Sequence, residues 1–259
     1  MTPAAALRVL HVLHSAVPDV TGGSVRSRYL VRGQAALGVE PVVVSSPFQP
    51  PIDPALAQGV EMVDGVPYHR TFDPRYDHQF MAAQKSLAVR ARKLTAVVPF
   101  TRRVRAIAQR ARVDVIHGHS LFYCGLAAAL AARSLGLPSV YEVRSLIEDG
   151  LAQEGGTRPG GPLYRAYRSF DWLALRLATH VVVICQGLRA DLIARGVAPD
   201  RITVVGNGVD VDGQTPVPPR TPALLARMGL PADAFVLGYI GTLLAYESLE
   251  VVIDAMAVL

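Results

Sequence analysis

Short apolar runs alternate along the chain with segments of helical spacing. Apart from Arg8, residues 7–13 form an apolar run punctuated by His11, as expected of a strand buried on both faces. Residues 25–37 read as a helix stopped by Gly38. Residues 41–45 are a second β-branched run, and residues 60–70, with Asp64-Gly65 inside, read as a short hairpin. Residues 85–112 read as one or two helices interrupted near Pro99. A strand at 113–117 then leads into an alanine-rich helix that ends at Gly136. Strands at 139–143, 180–184 and 202–205 alternate with helices at 163–178 and 188–194.

Strands alternating with helices over short connections predict an α/β fold: a Rossmann-like, doubly wound parallel sheet with helices on both faces. No internal repeat is visible. Residues 213–222, GQTPVPPRTP, have the chemistry of a linker. The expected organisation is a first domain over 1–210, a linker and domain start over 211–232, and one βα unit over 233–259. That last unit contains a strand at 235–240 and a helix at 249–259. One βα unit cannot cover both faces of its strand, so the chain reads as the front part of a longer protein.

Composition changes this picture in three ways. A hydrophobic content of 51% is ample for a core. Two cysteines, Cys124 and Cys185, both in contexts that read as buried, suggest no disulfide framework and a reducing, cytoplasmic setting. No stretch has the length and purity of a membrane span. The net charge of +5 is concentrated. Nine basic residues lie between Lys85 and Arg112 with no Asp or Glu among them, and the rest of the chain is net acidic.

In an open parallel sheet, ligands bind beyond the carboxyl ends of the strands. The first such loop holds Gly22-Gly23, with Arg26 and Arg28 one turn into the helix. Backbone amides at a glycine-rich helix start can cradle a phosphate, although a tight turn alone also accounts for the pair. It matches neither G-x-G-x-x-G nor a P-loop. His117 and His119, two apart at a strand end, share a side, and no nearby Cys, Asp or Glu completes a familiar zinc set. His119 is the better candidate for a polar contact; packing at a strand end is the alternative. Glu142, Arg144, Glu148 and Asp149 cluster after another strand, either as an internal pair or as binding groups. Gly206-Asn207-Gly208 reads as a hinge, or as a hinge that touches ligand.

Four segments taken in order resemble the retaining glycosyltransferases of family 4: HVLHSAVPDVTGGSVRSRYL, VDVIHGHS, VVVICQGLRADLIARGVAPDRITVVGNGVD and LGYIGTLLAYESLEVVIDAM. YEVRSLIED further resembles members that build bacterial exopolysaccharides or other surface glycans. The resemblance implies the two-lobed GT-B architecture. Its N-terminal domain mainly holds the acceptor and its C-terminal domain the nucleotide sugar. It also implies that Gly22 and Gly23 face the donor diphosphate and that His119 contacts the transferred sugar. Asn207 and Gly208 would form the interdomain loop, and Gly241 and Thr242 the glycine-led loop of the donor site. Arg26 would help stabilise the leaving diphosphate, and Glu142 and Arg144 would orient the acceptor.

The implied reaction moves a sugar with retention from a UDP- or GDP-linked donor to a glycan or lipid-linked acceptor. It needs no metal, cofactor or protein nucleophile. Residues 85–112, with Val98, Phe100, Val104 and Ile107, could form a cationic amphipathic surface for an anionic membrane on its inner face, or merely a solvated helix face. The sequence departs from the family where an arginine and a lysine usually follow Gly241, since Leu243 to Ser248 supplies neither. Cys185 stands where a serine is common. The family's Glu-x7-Glu motif would lie past residue 259, so the chain by itself is expected to be an inactive fragment. Three alternatives remain: a non-catalytic binding or scaffold module of this fold, a nucleotide-sugar epimerase, and a nucleic-acid binder using the basic segment. The last has one aromatic, Phe100, and no recognition motif to support it.

Overall fold

A computed structural model describes residues 6–51, 53–76, 87–153, 155–209, 211, 221–241, 243 and 247–258. Lys85, Thr242 and most of the proline-rich stretch lie outside them. The described residues divide into two compact units, Met1–Asn207 and Gly208–Leu259.

The first unit is built on one eight-stranded sheet in the order β3-β4-β2-β1-β5-β6-β7-β8. Its strands are β1 (Arg8–Leu13), β2 (Glu40–Ser45), β3 (Val60–Val63), β4 (Val66–His69), β5 (Val115–His119), β6 (Ser139–Val143), β7 (His180–Val183) and β8 (Ile202–Val204). All pairings are parallel except the β3–β4 hairpin at one edge. The helices are α1 (Gly22–Ala36), α2 (Leu87–Ala111), α3 (Phe122–Leu135), α4 (Ile147–Gln153), α5 (Pro162–Leu177) and α6 (Gln186–Ala194). The chain winds outward from β1 in one direction and from β5 in the other. The crevice beyond the ends of β1 and β5 is therefore the topological switch point, where sheets of this kind bind ligands.

The two faces of the sheet differ. On one face Leu10, Val12, Val44, Ile116 and Val143 pack with α2, α3 and α5 in the main apolar core. On the other, Leu13, Val31, Val43 and Tyr68 make a smaller apolar cluster beside α1. The buried positions of α1 are Ser24, Ser27 and Val31, so this helix turns a largely polar stripe inward. It covers His11, His117, His119 and Glu142, all buried in adjacent strands.

Close approach of α3 to the sheet depends on two glycines. A Cβ on Gly118 would lie 2.8 Å from the Cys124 carbonyl oxygen and 2.9 Å from the Cα of Gly125. A Cβ on Gly125 would lie 2.6 Å from the Tyr141 ring, which is itself buried. Small residues thus bring the helix down onto β5 and β6, and through them set the position of His119.

Several expectations are corrected. Helix α2 runs unbroken through Pro99, because its packing on α3 outweighs one missing amide donor. Its apolar residues Phe100, Val104 and Ile107 are spent on that core, leaving arginines and Val98 outside. These three residues are therefore not available as the apolar side of a membrane-facing surface. Cys124 is buried, but Cys185 is exposed and caps α6, its Sγ accepting from the Leu188 amide at 3.5 Å. That is an N-cap position, where a serine would be favoured. Strand β5 reaches His119, so both histidines belong to the strand rather than to the loop.

The second unit contains α7 (Pro222–Arg227) and α8 (Leu249–Met256). Residues 235–240 form no strand, although one is expected there, and Phe235, Leu237, Tyr239 and Ile240 are exposed. A strand needs a neighbour to pair its backbone groups, and the described residues of this unit offer none. No helix among the described residues is long and apolar enough to cross a membrane.

Replacing Gly125 with Ala should destabilise the first unit by about 1–3 kcal/mol through overpacking against Tyr141. Urea unfolding followed by circular dichroism measures this, and an unchanged midpoint would contradict the tight α3–β6 contact.

Candidate active site

Three elements converge on the crevice. The loop after β1 ends in Thr21, the N-cap of α1. Thr21 Oγ1 accepts from the Ser24 amide at 3.1 Å, and the Thr21 amide donates to Ser24 Oγ at 2.9 Å. This capping box satisfies one helix amide and leaves the first-turn glycines facing the crevice, at the positive end of the helix. The resulting cleft, of about 370 Å³, is lined by His14, Asp19, Gly23, Gln49, His119 and Arg144 among others. His14 sits against Tyr123, whose hydroxyl meets its Nδ1.

Beneath the cleft lies Glu142, fully buried at the end of β6. Its Oε1 accepts from Arg144 Nε at 2.7 Å and from Arg26 Nε at 3.0 Å. The rest of each guanidinium is also placed. Arg144 donates to the Gly23 carbonyl at 2.7 Å, to Ser27 Oγ at 2.9 Å and to His119 Nδ1 at 3.0 Å. Arg26 donates to the carbonyls of Val205 and Gly206 and to Asn207 Oδ1. One carboxylate thus ties α1, the glycine loop, β6 and the segment after β8 together. Breaking such a pair on one side typically costs about 3–5 kcal/mol.

The same geometry sorts the residues singled out in the sequence. His119, Gly23 and Arg144 come together in the cleft, with Glu142 directly below. Gly22 opens the helix beside them and has open space around it. Arg26 spends its guanidinium on protein groups, so a role on a diphosphate would require releasing them. Asn207 is one of those partners. Gly208 and Gly241 belong to the second unit, and Thr242 lies outside the described residues. The Glu142–Arg144 pair read as one possibility from the sequence is present.

His11, Gln34 and Ser27 are also part of the site, although the sequence reading did not place them there. Their signals were faint: a histidine interrupting an apolar strand, and a serine–valine–glutamine stripe on a helix that otherwise reads as ordinary. His11 Nδ1 lies 2.9 Å from His119 Nε2, and His11 Nε2 lies 2.8 Å from Gln34 Oε1. The His117 and His119 rings stack at 3.9 Å.

Ring nitrogens of His11, His117 and His119 come within 4.8 Å of one another, a grouping that a divalent ion can use. The 2.9 Å contact is shorter than the roughly 3.3 Å between two nitrogens on a tetrahedral zinc, and it is a hydrogen-bond distance. Burial, with His119 alongside, pushes the His11 pKa down to about 3. Burial likewise lowers those of His117 and His119. For Glu142 burial alone would raise the pKa, but the facing guanidinium of Arg144 outweighs it and holds the carboxyl well below its usual range.

The family described as Glycosyl transferase 4-like domain matches residues 21–208. A D-inositol 3-phosphate glycosyltransferase from Stackebrandtia nassauensis is 31% identical over 150 residues, covering 56% of this chain and 32% of that protein. The chain thus spans about a third of the length of this curated relative. Among solved structures, sucrose-phosphate synthase from Thermosynechococcus elongatus aligns over 97% of this chain and 59% of its own, with a TM-score of 0.67 at 18% identity. Anabaena Alr3699/HepE in complex with UDP aligns over 97% of this chain and 57% of its own, with a TM-score of 0.62 at 17% identity. At these identities the structures show a shared fold.

The buried histidines make a pH prediction. In the unfolded chain each takes up a proton near pH 6.5, whereas folded His11 stays neutral down to about pH 3. The unfolded state therefore binds more protons in that window, and stability should fall as pH drops from about 6.5. Below about pH 4.3 Glu142 adds to the loss, because its carboxyl takes up a proton in the unfolded chain while the folded one stays ionised. Urea midpoints measured from pH 7 to 4 should decline steadily; a flat profile to pH 5 would contradict neutral buried histidines.

Proposed function

The chain belongs to the Glycosyl transferase 4-like domain family, and from that premise we propose that it forms the acceptor-side part of a retaining glycosyltransferase. The reaction moves a sugar from a UDP- or GDP-linked donor to a glycan or lipid-linked acceptor, in the synthesis of surface polysaccharide or glycoconjugate. The observation that carries the reading is the convergence of the α1 glycine start, His119 and Arg144 on one cleft at the topological switch point.

Each group has a physical role in this reading. Charge develops on the leaving diphosphate, and preoriented amides at a helix start stabilise it without reorganising during the reaction. Gly22 and Gly23 let that backbone approach the ligand without a side chain intervening. Arg144 supplies fixed positive charge behind the loop. Four of its five N–H groups are engaged by protein, which leaves one on Nη1 for a ligand among the described contacts. His119 lies where the transferred sugar would sit. Both its ring nitrogens are engaged, so a sugar hydroxyl that takes one must displace His11 or Arg144. His14, Asp19 and Gln49 offer polar groups to an acceptor along the rest of the cleft. No residue is assigned as nucleophile.

The basic helix gives a second element of the proposal. With its apolar face in the core, α2 can draw the enzyme to an anionic surface by charge alone, through exposed Arg102, Arg105 and Arg110. Changing Arg102, Arg103 and Arg105 together to Glu should weaken binding to phosphatidylserine-containing vesicles, most clearly at low salt. Unchanged sedimentation with vesicles would remove the membrane reading.

The catalytic reading is tested by Gly23→Val in the full-length protein. A Cβ there would stand 3.6 Å from Arg144 Nη1 and 3.7 Å from Thr21 Oγ1, ordinary contacts that the fold tolerates. Its branches would crowd the diphosphate loop. Transfer from a radiolabelled UDP- or GDP-sugar to lipid-linked acceptor should fall by about 100-fold or more. The thermal midpoint should move little. Full transfer in this variant would remove the glycine loop from the reaction.

A further inference from the structure

We propose that His11 and Gln34, which lie outside the cleft lining, are positioning residues for the transfer reaction. Through a one-way chain of hydrogen bonds they fix the tautomer of His119, and with it the Arg144 guanidinium that holds the glycine loop. The catalytic consequence rests on the reading of the cleft as a glycosyltransferase site; the tautomers do not.

The direction of the chain follows from what each group can do. A guanidinium has no acceptor, so Arg144 Nη2, 3.0 Å from His119 Nδ1, must donate to a lone pair there. Neutral His119 therefore carries its proton on Nε2 and donates it to His11 Nδ1 at 2.9 Å. With Nδ1 accepting, His11 carries its own proton on Nε2 and donates it to Gln34 at 2.8 Å. That requires the amide oxygen of Gln34, not its nitrogen, to face the ring, which is the orientation present. Protonating either ring would put a second N–H against a donor, so both rings stay neutral.

The surroundings support the same state. His11, His119 and Glu142 are buried, and the central His11–His119 bond is shielded from water. Glu142 Oε2 lies 3.6 Å from His119 Nδ1 and 3.7 Å from His117 Nε2, beyond hydrogen-bond range. It has no hydrogen-bond partner among the described residues, and neither does His117 Nε2. An alternative state is therefore available. If the His11 and Gln34 roles reversed, His119 would carry its proton on Nδ1 and turn it to Glu142, and Arg144 would lose an anchor. Arg144, a donor at one end of the chain, and the Gln34 carbonyl at the other together select against this state.

The experiment is long-range ¹H–¹⁵N correlation of histidine side chains in the full-length protein, labelled selectively with ¹⁵N-histidine and without substrate. Signals are assigned by single His→Gln replacements. His11 and His119 should each appear neutral, with the proton on Nε2, from pH 5 to 8. An Nδ1–H form of either ring, or a charged His119 at pH 6, would overturn the proposal. In Gln34→Leu, His119 should become a mixture of tautomers. Its kcat should fall about 10- to 100-fold while the donor KM moves less than about threefold. An unchanged His119 tautomer in that variant would also overturn the proposal. If the variant does not fold, the wild-type tautomers still decide. If no transfer is detected in any form, the transferase reading fails while the tautomer result stands on its own.

Discussion

The buried carboxylate of Glu142 is the point on which the rest of the first unit depends. A charge in that position is stable only because two guanidinium groups reach it, from α1 and from the segment just after its own strand. Each arginine also donates to backbone carbonyls, of the glycine loop in one case and of the stretch beyond β8 in the other. Satisfying one charge thereby orders three loops that are far apart in sequence. Their shared location at the carboxyl ends of the strands is where a parallel sheet binds its ligands.

The two faces of the sheet carry different kinds of specification. Beneath α2, α3 and α5 the contacts are apolar, and glycines let the backbone come close. Beneath α1 they are polar and directional, a layer of histidine, glutamate, serine and glutamine joined by hydrogen bonds. The apolar face supplies burial. The polar face selects one arrangement, since each of its bonds constrains the protonation of the next. Its histidines stay neutral because burial penalises their charged forms and because the donors around them leave room for one proton on each ring.

The strand–helix alternation was legible because a parallel sheet writes itself as short apolar runs between helical segments. The glycine start of α1, the paired histidines at the end of β5 and the Glu142–Arg144 pair could be singled out because each breaks its local pattern. His11 and Gln34 could not be placed at the site in the same way. Nothing in residues 7–13 or 25–37 indicates that a histidine on one strand meets a histidine on another, because that contact depends on register between strands more than a hundred residues apart. The partners of Arg26 were hidden for a related reason: a cation near a glycine loop suggests a phosphate, and only the fold brings the carbonyls of Val205 and Gly206 and the side chain of Asn207 to its guanidinium.

Local chemistry by itself therefore determined the α/β class, the positions of most strands and helices, and the loops worth attention. These follow from periodicity and from residues whose backbone preferences are intrinsic. Tertiary structure decided that Phe100, Val104 and Ile107 of α2 would enter the core, and whether residues 235–240 would be a strand. It also decided which histidine nitrogen carries a proton. Each of these outcomes depends on a partner distant in sequence, and pairing, burial and hydrogen-bond direction have no value until that partner is in place.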